Sequence, residues 1–217
     1  MSPRQSRTLT RWTFSALALV CAAAWAFPVY WMVSSSLMSN ARLRSATPSF
    51  WPVNPTLSNY AAVVEGSSFT SALRMSLLVT GVTVVAVVAF AFLAALAVSR
   101  FRFRGRTSFV LTILLVQMLP AEGLFIAQYK MLSATGLLNS VIGVSVLYTA
   151  AIVPFTVWML RGFVSSVPAD LEEAAMVDGL SRFQAFLRFT LPLLAPGLVA
   201  SGVYAFLQAW NEFTVAL

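Results

Sequence analysis

The sequence predicts an all-α, polytopic membrane protein, and three observations carry that prediction. Hydrophobic residues fill 59% of the 217 positions and charged residues only 10%, against about 25% charged in an ordinary soluble domain. Mean hydropathy is +0.83. The apolar residues come in uncharged runs of about 20, the length that carries a helix across a roughly 30 Å hydrocarbon core. Such surface must face lipid, where backbone groups are satisfied within a helix or a closed barrel. Long unbroken runs lack the weak alternation of barrel strands, which leaves helices.

The first span is expected over residues 12–33, since no charge falls between Arg11 and Arg42. Trp12 at one end and Tyr30 and Trp31 at the other suit the two interfaces. Arg4, Arg7 and Arg11 ahead of it imitate a secretory signal. The apolar run is too long for one, and bulky Trp25, Tyr30 and Trp31 stand where small cleavage residues belong, so it reads as a retained span. Residues 34–69 are polar and turn-rich, with Pro48, Pro52 and Pro55, and read as a loop along the membrane surface. Span two covers 77–98, where Thr80, Gly81 and Thr83 suit helix contacts.

RFRFRGR at 100–106 places four arginines in one short loop and is the strongest orientation signal in the chain. Span three, 109–128, is unusual in holding Gln117, Pro120, Glu122 and Gly123. Span four covers 141–160 with Pro154 inside, and span five covers 193–213. With the N-terminus in the cytoplasm, 10 of the 14 bases lie inside and Arg42, Arg44, Arg74 and Lys130 outside, as the positive-inside rule requires. The net charge of +7 is therefore topological, and no nucleic-acid partner is expected. There is no histidine and a single cysteine, Cys21. That excludes an internal disulfide, a Cys/His metal site and histidine-based catalysis.

The cytoplasmic loop 161–192 carries most of the acids. Pro168 suits a helix start, and Asp170, Glu172 and Glu173 fall where the helix dipole favours negative charge. Leu171, Ala174 and Ala175 share a face with little bulk, which lets another surface approach. Gly179 suits a left-handed helix end. Ser181 followed by Gln184 fits a capping box that opens a second short helix, with Phe183, Phe186 and Leu187 on one side and Pro192 at the next span. The plain alternative is an amphipathic hairpin resting on lipid.

The spacing adds more. Glu173-Ala174-Ala175, three residues, Gly179, nine residues, Phe189, one residue, Leu191-Pro192 resembles the EAA motif of ATP-binding-cassette importer permeases, with Phe189 in place of the usual isoleucine. The LRGFVSSVPADLEEAAMVDG stretch, MLPAEGLFIAQYKML and AWNEF are similar to the MalG-like carbohydrate uptake branch, from about Trp12 to Leu217. The resemblance implies a coupling helix that docks on an ATPase subunit through Glu173, Ala174, Ala175, Asp178 and Gly179. It also implies a second permease subunit, two ATPase subunits holding ATP and Mg, a solute-binding protein outside, and a multi-pass place in the bacterial inner membrane. The family has six spans where five are read here, so the chain is expected to lack the last helix, by truncation or by nature.

Polar residues within spans are costly and usually face protein or a water-filled path. Gln117, Glu122, Gln128, Trp210, Asn211 and Glu212 are accordingly candidates for a substrate path. Glu122 has a simpler alternative, pairing with Lys130 or capping a helix broken near Pro120. The only lysine, Lys130, lacks the glycine pattern of a P-loop, so ATP hydrolysis falls to a separate subunit and the chain is expected to be non-catalytic. An importer of amino acids or peptides shares the same loop and stays open. An intramembrane enzyme lacks paired carboxylates or histidine here, and a secondary transporter would show an inverted repeat that is not evident.

Overall fold

Proline, glycine and small polar residues decide where each helix starts, breaks and packs. The computed structural model describes residues 3–45 and 49–212, with the side chains of residues 3–10, 67, 121 and 122 outside that description. The described residues form ten α-helices, one 3₁₀ turn and one π-helical segment. The chain divides into two units, Met1–Ser71 and Ala72–Leu217.

In the first unit, α1 (Pro3–Ser36) runs for 34 residues with Pro28 inside. Every side chain from Arg11 to Tyr30 is exposed, so this apolar surface is available to lipid. The stretch expected to be a surface loop holds α2 (Asn40–Leu43) and α3 (Ser58–Glu65). It is tied to the end of α1 by hydrogen bonds and ring contacts. Thr56 N–H donates to Leu37 O at 2.9 Å, and Asn59 Nδ2 donates to Ser36 O and Met38 O at 2.9 and 2.8 Å. Tyr30 and Trp31 meet Trp51 and Phe50 edge-on at 5.8 and 6.0 Å. The sequence shows polar turn residues here but not the carbonyls they find on α1.

The second unit contains α4 (Ser67–Arg100, which begins just before it), α5 (Arg106–Val116), the 3₁₀ turn Ala121–Leu124, α6 (Phe125–Ala134), α7 (Val141–Ser166), α8 (Asp170–Val177), α9 (Arg182–Ala185), the π-helical segment Phe186–Thr190 and α10 (Leu191–Asn211). Among the described residues, four helical stretches are long and apolar enough to cross a membrane: Arg11–Ser36, Ser68–Arg100, Val141–Ser166 and Arg182–Asn211. The expected continuous span at 109–128 is corrected: helix α5 stops at Val116 and helix resumes only at Ala121. Pro120 brings no N–H and pushes Leu119 away from helical geometry. The last turn accordingly tightens, with Met118 and Leu119 N–H bonded three residues back.

Helices in lipid gain little from burying apolar surface, because the tails are as apolar as leucine. Close packing through small residues does the work. On α4 the buried residues are Thr80, Thr83, Val87, Ala91, Ala95 and Val98, one stripe at helical spacing. On α10 the buried stripe is Leu194, Gly197, Ser201, Ala205 and Ala209. These face α7, whose Tyr148, Ile152, Val157, Leu160 and Val164 complete two adjoining clusters. Of the expected contact residues on span two, Thr80 and Thr83 are buried, while Gly81 has open space beside it.

Two buried hydroxyls are spent on helix carbonyls, Thr156 on Ile152 and Ser201 on Gly197, at 2.9 and 2.8 Å, while Thr83 Oγ1 has no partner among the described residues. Ser145 reaches from α7 to Val79 O of α4 at 3.4 Å. Gly197 marks a close approach of α10 to α7, since a Cβ there would lie 2.6 Å from Phe163 Cγ and 2.9 Å from its Cβ. Those atoms sit at the root of the ring and cannot swing away. Gly197→Val is therefore expected to destabilise the chain by about 1–3 kcal/mol, the usual cost of overpacking, read as a lower thermal midpoint in detergent. Adding Phe163→Ala should recover part of that loss.

Candidate functional site

The hairpin after α7 is built from two capping arrangements in succession. Asp170, Glu172 and Glu173 occupy the first turn of α8, where exposed N–H groups favour anions. Pro168 lies just ahead of the N-cap, Ala169. At the other end Gly179 takes φ +91°. Its N–H bonds to Met176 O and the Leu180 N–H to Ala175 O, both at 3.1 Å, the paired closure of a Schellman turn. Ser181 follows with a complete capping box: Gln184 N–H donates to Ser181 Oγ at 3.3 Å and Ser181 N–H to Gln184 Oε1 at 2.9 Å.

The expected second short helix is corrected in one respect. α9 is a single turn that passes through the π-helical segment straight into α10. The Leu191 N–H bonds to Phe186 O, one residue further back than in an α-helix. Pro192 supplies the reason, because its ring crowds the carbonyl four residues earlier and the wider turn makes room.

α8 has two faces, and they are not the faces that residue size suggests. Glu172 and Met176 are half-buried and Ala175 is buried, so this side packs inward. Asp170, Glu173, Ala174, Val177 and Asp178 are exposed. Of the five candidate coupling residues, Glu173, Ala174, Asp178 and Gly179 are therefore at the surface, while Ala175 serves the chain's own packing. Two apolar residues join that surface without having been singled out as contacts. Val177 is 87% exposed and Phe183 69% exposed. The signal for Val177 lay in the sequence, four residues after Glu173 on the same helical face.

The opposite end of α4 holds a cavity of about 310 Å³. Ser76 and Arg100 are separated by about 36 Å along the helix axis, close to the thickness of a bilayer. Polar groups of Ser76, Thr80, Asn139, Ser140, Tyr148 and Glu212 line the cavity, with Trp210 as an aromatic wall. Ser140 also caps α7, accepting from Gly143 N–H at 3.0 Å. Trp210 stacks on Phe206 with centroids 5.5 Å apart.

The structure sorts the candidate path residues. It brings Trp210 and Glu212 into the cavity wall. Asn211 donates to Leu207 O at 2.7 Å and so serves the end of its own helix. Gln117 donates across to Ala151 O of α7 at 3.1 Å, beside the Ala150 carbonyl that Pro154 leaves without its helix donor. That makes it a strut between α5 and α7. Gln128 is half-buried on α6 with Oε1 buried and without a hydrogen bond among the described residues. The Glu122 side chain lies outside the described residues. Tyr148, Asn139 and Ser76 escaped the sequence reading because polar residues at span ends and a lone tyrosine in an apolar run are common, and Thr80 was read only as a helix contact.

Long apolar helices, a proline-broken helix, a capped polar hairpin at one end of α4 and, at the other, a mostly apolar cavity dotted with polar groups define a multi-span membrane permease. Residues 87–217 match the family described as binding-protein-dependent transport system inner membrane component, and the chain belongs to that family. It is 40% identical over 191 residues to the diacetylchitobiose uptake system permease protein DasC of Streptomyces coelicolor, covering 88% of this chain and 69% of that protein. It is 33% identical over 190 residues to the trehalose transport system permease protein SugB of Mycobacterium tuberculosis, covering 88% and 69%. The fold matches the crystal structure of a bacterial ABC transporter involved in import of the acidic polysaccharide alginate, with TM-score 0.81 and 25% identity over 98% of this chain and 74% of that one. The resemblance drawn from the EAA spacing is thus borne out at the level of the family. The chain is a multi-pass inner-membrane subunit whose role is transport.

Replacing Gly179 by alanine forces a Cβ into left-handed backbone at about 1–2 kcal/mol. Roughly tenfold faster amide exchange is expected at Leu180 and Ser181, with helices α7 and α10 unaffected, in a hydrogen-exchange measurement on the intact protein.

Proposed function

We propose that this subunit conducts a carbohydrate through an ATP-driven importer, powered by separate ATPase subunits that dock on the α8–α9 hairpin. The observation that carries the reading is the arrangement of the second unit. An exposed face of acids, a small residue and a bare valine stands at one end of α4, and a largely apolar cavity with several polar groups and an aromatic wall stands at the other. Acids on the hairpin can pair with bases of a partner, and Ala174 leaves room for close approach. Val177 offers an apolar anchor of the kind that dominates interface energies when desolvated. ATP and Mg belong to the partner subunits in this reading.

The positive-inside count supports a cytoplasmic N-terminus and hairpin, which would put the cavity at the outer side. A solute released by an external binding protein would first meet Trp210, Tyr148 and Glu212. An indole face with hydroxyl, amide and carboxylate partners is the usual chemistry of sugar recognition, and the named uptake permeases to which the chain is similar support the same substrate class. A second permease subunit, most simply a different chain, would complete the path. Two ATPases closing on ATP would draw the hairpins inward and tilt the spans to switch access.

Val177→Arg and Gly179→Pro are each expected to lose co-purification of the ATPase while the chain still inserts in the membrane. A single lost anchor at about 2 kcal/mol weakens docking some thirtyfold. Trp210→Ala should leave ATPase assembly intact and lower sugar uptake in vesicles about tenfold, the loss of one stacking contact. Competition of that uptake by amino acids or peptides, but not by oligosaccharides, would overturn the substrate class.

A further inference from the structure

The inward face of α8 carries an arrangement that the docking surface does not use. Glu172 Oε1 accepts a hydrogen bond from Thr190 Oγ1 at 2.6 Å and lies 3.4 Å from Arg100 Nη2. These three residues come from three elements: Glu172 from the first turn of α8, Thr190 from the end of the π-helical segment, and Arg100 from the last position of α4. Thr190 is fully buried, and the side chains of Arg100 and Glu172 are 21% and 18% exposed. Two helical turns earlier on α4, Phe92 meets Phe186 of the π-helical segment with ring centroids 6.3 Å apart.

We infer that Glu172 is the positioning residue that ties the docking hairpin to α4 as well as to α10, so that a pull on the hairpin moves both spans together. The chain itself makes α10 continuous with the hairpin. Nothing covalent makes α4 follow, because α4 ends at Arg100 and the chain leaves through the arginine loop. The shared carboxylate supplies that link. Its charge is needed for it, since Arg100 Nε and Nη2 are both buried and donate to no hydrogen-bond acceptor among the described residues. Among the described residues the Glu172 carboxylate is the anion placed against the guanidinium, and leaving either charge alone in a half-buried site is unfavourable. Arg100 also sits where a cation complements the carbonyl end of α4. The contact is an ion pair and not a hydrogen bond at 3.4 Å, so it can tighten or slacken as the hairpin shifts without breaking the Thr190 bond.

This inference rests on the hairpin's being the ATPase dock, and its test uses ATP as the only ligand. The transporter is assembled with its own partner permease and ATPase in nanodiscs, carrying Cys21→Ser and a reporter, Ser76→Cys, in the exposed wall of the cavity at the far end of α4. A water-soluble maleimide reads the reporter with and without ATP. If the assembly forms without the hairpin's being needed, as shown by intact ATPase binding in Gly179→Pro, the docking reading fails and the inference falls with it.

With docking confirmed, Glu172→Gln and Arg100→Gln are expected to keep ATP hydrolysis but lose the ATP-dependent change in labelling by about fivefold or more, the scale of a coupling between distant sites. The double variant leaves no charge unpaired. A merely structural role predicts that it recovers both thermal stability and the labelling change, and that result would sink the inference. A joint predicts recovered stability with the labelling change still lost. Thr190→Ser keeps the donor and should behave as the parent, whereas Thr190→Val should resemble Glu172→Gln. A labelling change as large in Thr190→Val and the double variant as in the parent overturns the proposal, even where the single charge variants fail to assemble.

Discussion

The approach of α10 to α7 at Gly197 is the constraint on which the second unit depends. Phe163 fills the space that a side chain at Gly197 would need, and the stripe of Ser201, Ala205 and Ala209 continues the same contact. In a lipid solvent no general hydrophobic force closes such a gap, and dispersion falls away steeply once atoms separate. Helix α10 therefore has one azimuth in which it packs well. That azimuth presents Trp210 to the cavity and brings Thr190, fully buried, to the carboxylate of α8. Local smallness in the membrane thus sets the position of polar chemistry at both of its ends.

A second constraint is the placement of proline. Pro120 splits what would have been a span, Pro154 leaves a carbonyl of α7 without its donor, and Pro192 stands directly above a widened turn. Each position opens backbone that must find a partner in a medium offering none. Gln117 answers beside the second of these by bonding to Ala151, and the third is answered by the shift to five-residue hydrogen bonding at Leu191. A polar residue inside an apolar run can therefore serve a helix contact, as Gln117 does.

These constraints explain what was legible beforehand. Spans α1, α4, α7 and α10 announce themselves through length and hydropathy, and Ser181, Gln184 and Gly179 announce the hairpin because capping needs those residue types at those spacings. The EAA spacing disclosed the family, since it is a pattern of fixed positions. The faces of α8 were not legible. Alanine fits an inward or an outward position equally, and Ala175 proved inward while Ala174 proved outward. The third span was misjudged because its apolar composition persists through Pro120, while the break depends on backbone geometry. Asn211 beside Trp210 and Glu212 looked like one group in sequence, yet successive residues on a helix point about 100° apart, and Asn211 turns back on its own helix. Tyr148 and Asn139 reach the cavity through the pairing of α4, α7 and α10, which no local pattern encodes.

The π-helical segment at Phe186–Thr190 has a further meaning for how such a chain can change over time. One extra residue in a helix rotates everything beyond it by roughly 100° and lifts it by about 1.5 Å. The hairpin and the membrane rod are continuous, yet the insertion uncouples their registers. The stripe that seats α10 against α7 and the exposed face of the hairpin can each be revised by substitution without dragging the other out of alignment. A single added residue acts here as a gear between two surfaces that answer to different solvents.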